Sequence, residues 1–141
     1  MIGFIVTGHG HFATGLTSAA ELVTGKQEAL IACDFDDMSA FDSIRIKLEK
    51  AVAELSDAEA IVIFCDLLSG TPYNQAIDMR VSSGNEKIQI VYGTNLPLLI
   101  EAIVARNNES TLEEILEIVD NVKYAIGKVD FSSGGDDEDD F

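Results

Sequence analysis

Four short apolar runs set the rhythm of the chain: IGFIVT at 2–7, ALIACDF at 29–35, AIVIFCD at 60–66 and IQIVYG at 88–93. Each is rich in β-branched residues and apolar at successive positions, so the strand it predicts is covered on both faces, as in the middle of a parallel sheet. Between the runs the apolar period lengthens to that of a helix. Phe12, Leu16, Ala19 or Ala20, and Val23 share one helical face before Gly25 ends it. Ile44, Leu48, Val52 and Leu55 repeat the pattern over Phe41 to Leu55. A third helix is predicted to start at Pro72, in the favoured first-turn position, with Thr71 as its N-cap. Beyond the fourth run, LPLLIEAIVAR and TLEEILEIV predict two more helices, and KYAIGKVDF alternates in the manner of a last edge strand.

Strands separated by helices predict an α/β fold: a doubly wound open sheet of four parallel strands with helices on both faces, because parallel neighbours need right-handed crossovers. A length of 141 residues suits one core. No internal repeat or linker divides it, so residues 1–131 are read as one domain and 132–141 as a tail. That tail, SSGGDDEDDF, joins small residues to consecutive acids, cannot bury a core, and is predicted to be disordered.

Charge narrows the partners. The net charge is −16, from 25 acidic and 9 basic residues. Such a field repels nucleic-acid phosphates and anionic lipid, and it suits a basic protein partner. No apolar run reaches the length of a membrane span, and MIGFIVTGHG lacks the basic n-region and cleavage site of a signal peptide, which reads as a cytoplasmic protein. Cys33 and Cys65 fall inside predicted strands and are expected to be buried, reduced thiols.

The chemistry gathers where the first run stops. Its end carries both histidines of the chain, in Gly8-His9-Gly10-His11, and ligands of open α/β sheets collect at the carboxyl ends of strands. If the first and third strands are neighbours, His9 faces Asp66 at the end of AIVIFCD. A carboxylate on Nδ1 fixes the imidazole tautomer, leaves the Nε2 lone pair free to attack phosphorus, and stabilises the cation that results. Flanking glycines leave room for a phosphoryl group. Ser69, Gly70 and Thr71, in DLLSGTPYN, lead into the predicted third helix, whose unpaired amides favour an anion, and the Thr71 hydroxyl can add a further hydrogen bond. His11 and Asn74 are further candidates, with a helix-start or turn role as the alternative for each, as for Gly93 to Asn95. No GK[ST] ending or GxGxxG follows a strand, so no nucleotide cofactor is expected.

Three stretches in order, GHGHFATGL, FCDLLSGTPYNQA and VYGTNLPLLIEA, resemble the mannose-type IIA components of the bacterial phosphoenolpyruvate-dependent sugar phosphotransferase system, and the resemblance runs to about Phe131. It implies that His9 is the phosphorylated histidine, that Asp66 orients it, and that Thr71 lies beside the phosphate. Ser69 departs from the glycine of many relatives, which bears on the backbone angles of that loop. The resemblance also implies a homodimer in which KYAIGKVDF is exchanged as an antiparallel edge strand. It implies HPr as phosphoryl donor, a IIB component as acceptor, and membrane IIC and IID components downstream. Sugar choice then lies mostly with those partners, and the wording of the first two motifs leans toward amino-sugar branches such as N-acetylgalactosamine, or gluconate.

Two other readings stand beside this one. A metal site drawn from His9, His11, Asp66 and Cys65 does poorly on geometry, because Cys65 precedes Asp66 on a strand and points to the opposite face; no metal is expected. A regulatory module, or a phosphotransfer subunit of a dihydroxyacetone kinase, shares the resemblance in fold, but GTPYN and GTNLPLL are closer to the sugar-transport branch.

Overall fold

The four apolar runs become four strands: β1 (Gly3–His9), β2 (Leu30–Phe35), β3 (Ile61–Cys65) and β4 (Ile88–Val91). The computed structural model describes residues 1–40 and 42–132. All pairings are parallel and the order is β2-β1-β3-β4. The chain therefore moves outward from β1 in both directions, which opens a crevice above the carboxyl ends of β1 and β3.

Among the described residues five α-helices cover the two faces: α1 (Phe12–Thr24), α2 (Asp42–Glu54), α3 (Thr71–Ser83), α4 (Leu96–Asn107) and α5 (Leu112–Asn121). Strand alternation divides the core between them. Phe4, Val6, Val62 and Phe64 pack with Ala13, Ala20, Leu99, Ile103 and Ile115 on the side of α1, α4 and α5. Ile5, Ile61, Ile63 and Cys65 pack with Ile44, Leu48, Ala76 and Met79 on the side of α2 and α3. Phe4 meets Phe64 edge to face at 5.1 Å, a favoured arrangement of two rings.

The helix ends follow local chemistry. Asn95 caps α4 by accepting the Leu98 amide, and Thr111 with Glu114 forms a reciprocal capping box at the start of α5. Gly84 closes α3 in the left-handed conformation at φ 65°. At the end of the sheet away from the crevice, Arg106 is buried and donates to the carbonyls of Ile2, Glu28 and Ala29 while stacking 4.4 Å over Phe4. Burial pulls its pKa down, and those carbonyls offset the loss of water. Burial likewise pushes the thiols of Cys33 and Cys65 up to about 11 and about 12, which keeps both protonated; both are free and buried, as expected.

Three expectations need correction or limits. Along α1 the buried stripe passes through Ala13 and Ala20, with Phe12 and Leu16 partly covered, and it leaves Val23 exposed. KYAIGKVDF forms no strand within the chain: Val122–Tyr124 is a short 3-10 turn and residues 125–132 are irregular, with Tyr124, Ile126, Val129 and Phe131 exposed. A strand needs an edge to pair with, and this segment makes no strand pairing with its own β4. Phe41, the expected start of α2, and nearly all of the acidic tail, from residue 133, lie outside the described residues.

Candidate functional site

The site is built by two strand ends and one helix start. His9 closes β1 and Asp66 follows β3, and because these strands are neighbours the two side chains meet as anticipated. A single oxygen, Asp66 Oδ2, accepts both the His9 backbone amide at 2.8 Å and His9 Nδ1–H at 2.9 Å. A carboxylate only accepts, so in the neutral ring the proton sits on Nδ1 and the lone pair on Nε2. Asp66 is 15% exposed and His9 40%, which leaves the ring open to a partner while its orienting group is shielded. The Phe35 ring packs against the His9 ring in a T-shaped contact, centroids 5.8 Å apart.

Two glycines are required by this packing. A Cβ at Gly8 would fall 2.8 Å from Asp66 Cγ and 2.5 Å from the Phe12 ring, so only glycine lets the carboxylate lie across β1. A Cβ at Gly70 would fall 2.7 Å from His9 Cε1 and 3.4 Å from Nε2. Gly70 thus keeps clear the space beside the Cε1–Nε2 edge of the ring.

The loop before α3 differs in detail from the sequence reading. Gly70, not Thr71, is the N-cap; Thr71 is the first helical residue, Pro72 the second, and no side chain caps this end. Proline fits either of the first positions of a helix, and the extended Gly70 backbone (φ −78°, ψ 169°) takes the capping role one residue earlier. The Thr71 hydroxyl is not committed to a cap. Ser69 adopts φ 65°, the left-handed region that favours glycine, and its carbonyl accepts a hydrogen bond from Asn74 Nδ2 at 3.1 Å. Asn74 is therefore a brace for the loop. Asn95 is likewise spent as the α4 cap.

His11 is not part of this constellation. Its ring is 79% exposed and its Nδ1–H donates to Asp34 Oδ2 at 3.2 Å. Asp34, at the end of β2, was not singled out from the sequence; it also accepts the Thr14 amide at 3.0 Å and the Thr14 hydroxyl at 2.7 Å. Burial opposes ionisation of Asp34, but the hydrogen bonds from Thr14 and His11 outweigh it and hold its carboxyl below the ordinary value. The signal was a carboxylate at the end of a central run beside the histidine strand. Cys65 is buried on the α2 and α3 side, and among the described residues no three His, Cys, Asp or Glu side chains are placed to hold a metal.

One nitrogen of His9 is fixed by a carboxylate and the other edge of its ring lies beside Gly70 at the start of α3. The model of a family described as the PTS system fructose IIA component matches residues 3–120. The chain belongs to this family. It is a phosphotransfer component of the sugar phosphotransferase system. It is 27% identical to the fructose-specific EIIA component of Bacillus subtilis over 108 residues, 77% of this chain and 73% of that one. It is 26% identical to the mannose-specific EIIAB component of Escherichia coli over 83% of this chain, and spans only 36% of that longer protein. The crystal structure of phosphotransferase system component EIIA from Streptococcus agalactiae superimposes with a TM-score of 0.79 at 32% identity, covering 94% of this chain and 99% of that one. No described helix of this IIA-family chain is long and apolar enough to cross a membrane.

Proposed function

We propose that the chain carries a phosphoryl group on His9 Nε2, taken from phospho-HPr and passed to a IIB component, and through it toward the IIC and IID membrane components. The observation that supports this most strongly is the 2.9 Å contact of Nδ1 with Asp66, which sets the Cε1–Nε2 edge of the ring beside Gly70. In the forward step the N–P bond of the donor phosphohistidine breaks as the His9 Nε2–P bond forms. The donor imidazole leaves neutral. His9 becomes a cation whose Nδ1–H stays on Asp66, and that carboxylate stabilises it. With the other nitrogen of the donor ring protonated, as that of His9 is, no proton has to move, and the onward transfer from His9 uses the same chemistry.

The anionic phosphoryl oxygens need donors from a chain with few cations. The start of α3 offers the first-turn amides near Thr71 and Tyr73 that no helical carbonyl can reach, and the Thr71 hydroxyl stands among them. The acidic surface would speed the encounter with a basic donor. These roles place the chain in the cytoplasm, where that donor operates.

The same reading makes the chain a homodimer. Among the described residues the edge of β4 is unpaired, and beside it runs a groove of about 640 Å³ lined by Tyr92, Leu98, Leu116, Val119 and Ile126. The exposed Ile126, Val129 and Phe131 suit exchange of this segment onto a partner's β4. The solution mass tests it: a dimer that becomes monomeric when residues 125–131 are removed supports exchange, and a monomeric full chain contradicts it.

The relay itself is tested by reconstitution. With phosphoenolpyruvate, enzyme I and HPr supplied, label should pass through this chain to a IIB component. A chain that accepts label but hands it to no IIB would support a regulatory role instead.

A further inference from the structure

The carboxyl end of β1 is flanked by a second carboxylate, on the side away from Asp66. Asp34 lies in β2 opposite Gly8, and its side chain is only 10% exposed. Its three hydrogen bonds all come from the first turn of α1 and the residue before it: the Thr14 amide, the Thr14 hydroxyl and His11 Nδ1–H. His11 stands at the N-cap of α1 yet forms no side-chain cap. The missing cap is supplied across the chain, from the neighbouring strand. Thr14 is the third helical residue, whose amide an N-cap side chain ordinarily accepts.

The same strand end takes hold of the loop itself. The Gly10 amide donates to the Phe35 carbonyl at 2.7 Å, and Gly10 turns through φ 58° between the two histidines. Lys47, from α2, donates to the Asp34 carbonyl at 2.7 Å and fixes that strand end from the opposite face. His9 therefore stands between two tethers, one from β3 through Asp66 and one from β2 through Asp34, α1 and Gly10.

The geometry points to Asp34 as a positioning residue for phosphoryl transfer: capping α1 from β2, it holds the two-residue loop that keeps His9 Nε2 beside Gly70. This rests on His9 as the acceptor. Asp34 touches no reacting atom; it restricts the orientations of the nucleophile before the donor arrives, which raises the rate at saturation rather than the affinity for the donor.

The test compares wild type with Asp34→Ala, Asp34→Asn, Thr14→Ala and Thr14→Ser. Two readouts are taken: amide hydrogen exchange, and the rate of phosphoryl acceptance against the concentration of phospho-HPr. Asp34→Ala should raise exchange of the His9 and Gly10 amides about fivefold, the loss expected of one cap, while the Phe4 amide at the far end of β1 is unchanged. The saturating rate should fall by a similar factor with the half-saturating donor concentration unaltered. Asp34→Asn, which keeps an acceptor for the Thr14 amide, and Thr14→Ser should recover most of both losses, and Thr14→Ala should show a milder form of them. Unchanged exchange at His9 and Gly10 in Asp34→Ala would overturn the proposal. So would an equal rise at Phe4, which would mean general loosening. Should Asp34→Ala fail to fold, the Thr14→Ala and Thr14→Ser pair decides by the same criteria. A wild type that accepts no phosphoryl group would overturn the phosphocarrier reading, and with it the part of Asp34 in transfer, whereas normal acceptance with unmoved exchange would overturn the Asp34 proposal alone.

Discussion

Two histidines, two residues apart, are each held through Nδ1 by a carboxylate from a strand beside β1, yet the two pairs are built for different work. His9 meets Asp66 on the β3 side, 40% exposed, with the edge of its ring that carries the other nitrogen beside Gly70, the N-cap of α3, a glycine that leaves space. His11 meets Asp34 on the β2 side, 79% exposed. The carboxylate of the first pair serves only the histidine, binding its ring and its own amide with one oxygen. That of the second serves mainly the helix, since two of its three hydrogen bonds come from Thr14. A histidine–aspartate contact alone therefore identifies no acceptor; what lies beside the free nitrogen decides it.

Substitutions on the two sides should separate the pairs. The largest effect short of removing a histidine is expected at Gly70→Ala. The new methyl would press on His9 Cε1, and displacing the ring should slow phosphoryl acceptance about a hundredfold in a protein that still folds. Stopped-flow or quench measurements of acceptance read this directly, and a normal rate would show that the ring has another way to lie. Asp66→Asn comes next. The amide cannot hold the same proton pattern, so acceptance should fall between about tenfold and a hundredfold while the circular dichroism spectrum stays that of wild type. An undiminished rate would remove Asp66 from the account.

A smaller effect is expected at Thr71→Ala. Losing one hydroxyl beside the anion should cost roughly tenfold in rate. Because Gly70 and not Thr71 caps α3, thermal stability should stay within about 0.5 kcal/mol of wild type. A large stability loss without a rate change would return Thr71 to the role of a cap. The smallest effect concerns the other pair. The Asp34 carboxyl is held below its ordinary value of 3.8, so the stability it contributes is complete above that pH and is lost as pH falls through the lowered value. Asp34→Asn should therefore show a shallower loss of stability on acidification below about pH 4, read by thermal melts across that range. A steeper acid limb in the variant would contradict the direction assigned.

Strand and helix positions were legible because apolar period and local breakers agree: the runs ending at His9 and Cys65 sit one beside the other, and the meeting of His9 with Asp66 follows from that adjacency. Three features were not legible, each for a physical reason. Asp34 lies in a run whose apolar neighbours mark a strand, and its value comes only from parallel pairing with β1, which places it opposite Gly8. The cap of α3 moved to Gly70 because proline is tolerated at more than one first-turn position, so Pro72 located the helix start only to within a residue. The alternating segment from Lys123 has the composition of a strand, but pairing is a property of two edges, and one chain offers it none that it uses.

The measurement that bears most directly on the central claim is intact mass after incubation with phosphoenolpyruvate, enzyme I and HPr, for wild type, His9→Ala and His11→Ala, before and after brief acid treatment. The account predicts a single acid-labile phosphoryl group on wild type and on His11→Ala, and none on His9→Ala. A phosphoryl group retained by His9→Ala and lost by His11→Ala would reverse the roles of the two pairs, and no gain in wild type would contradict the carrier function itself.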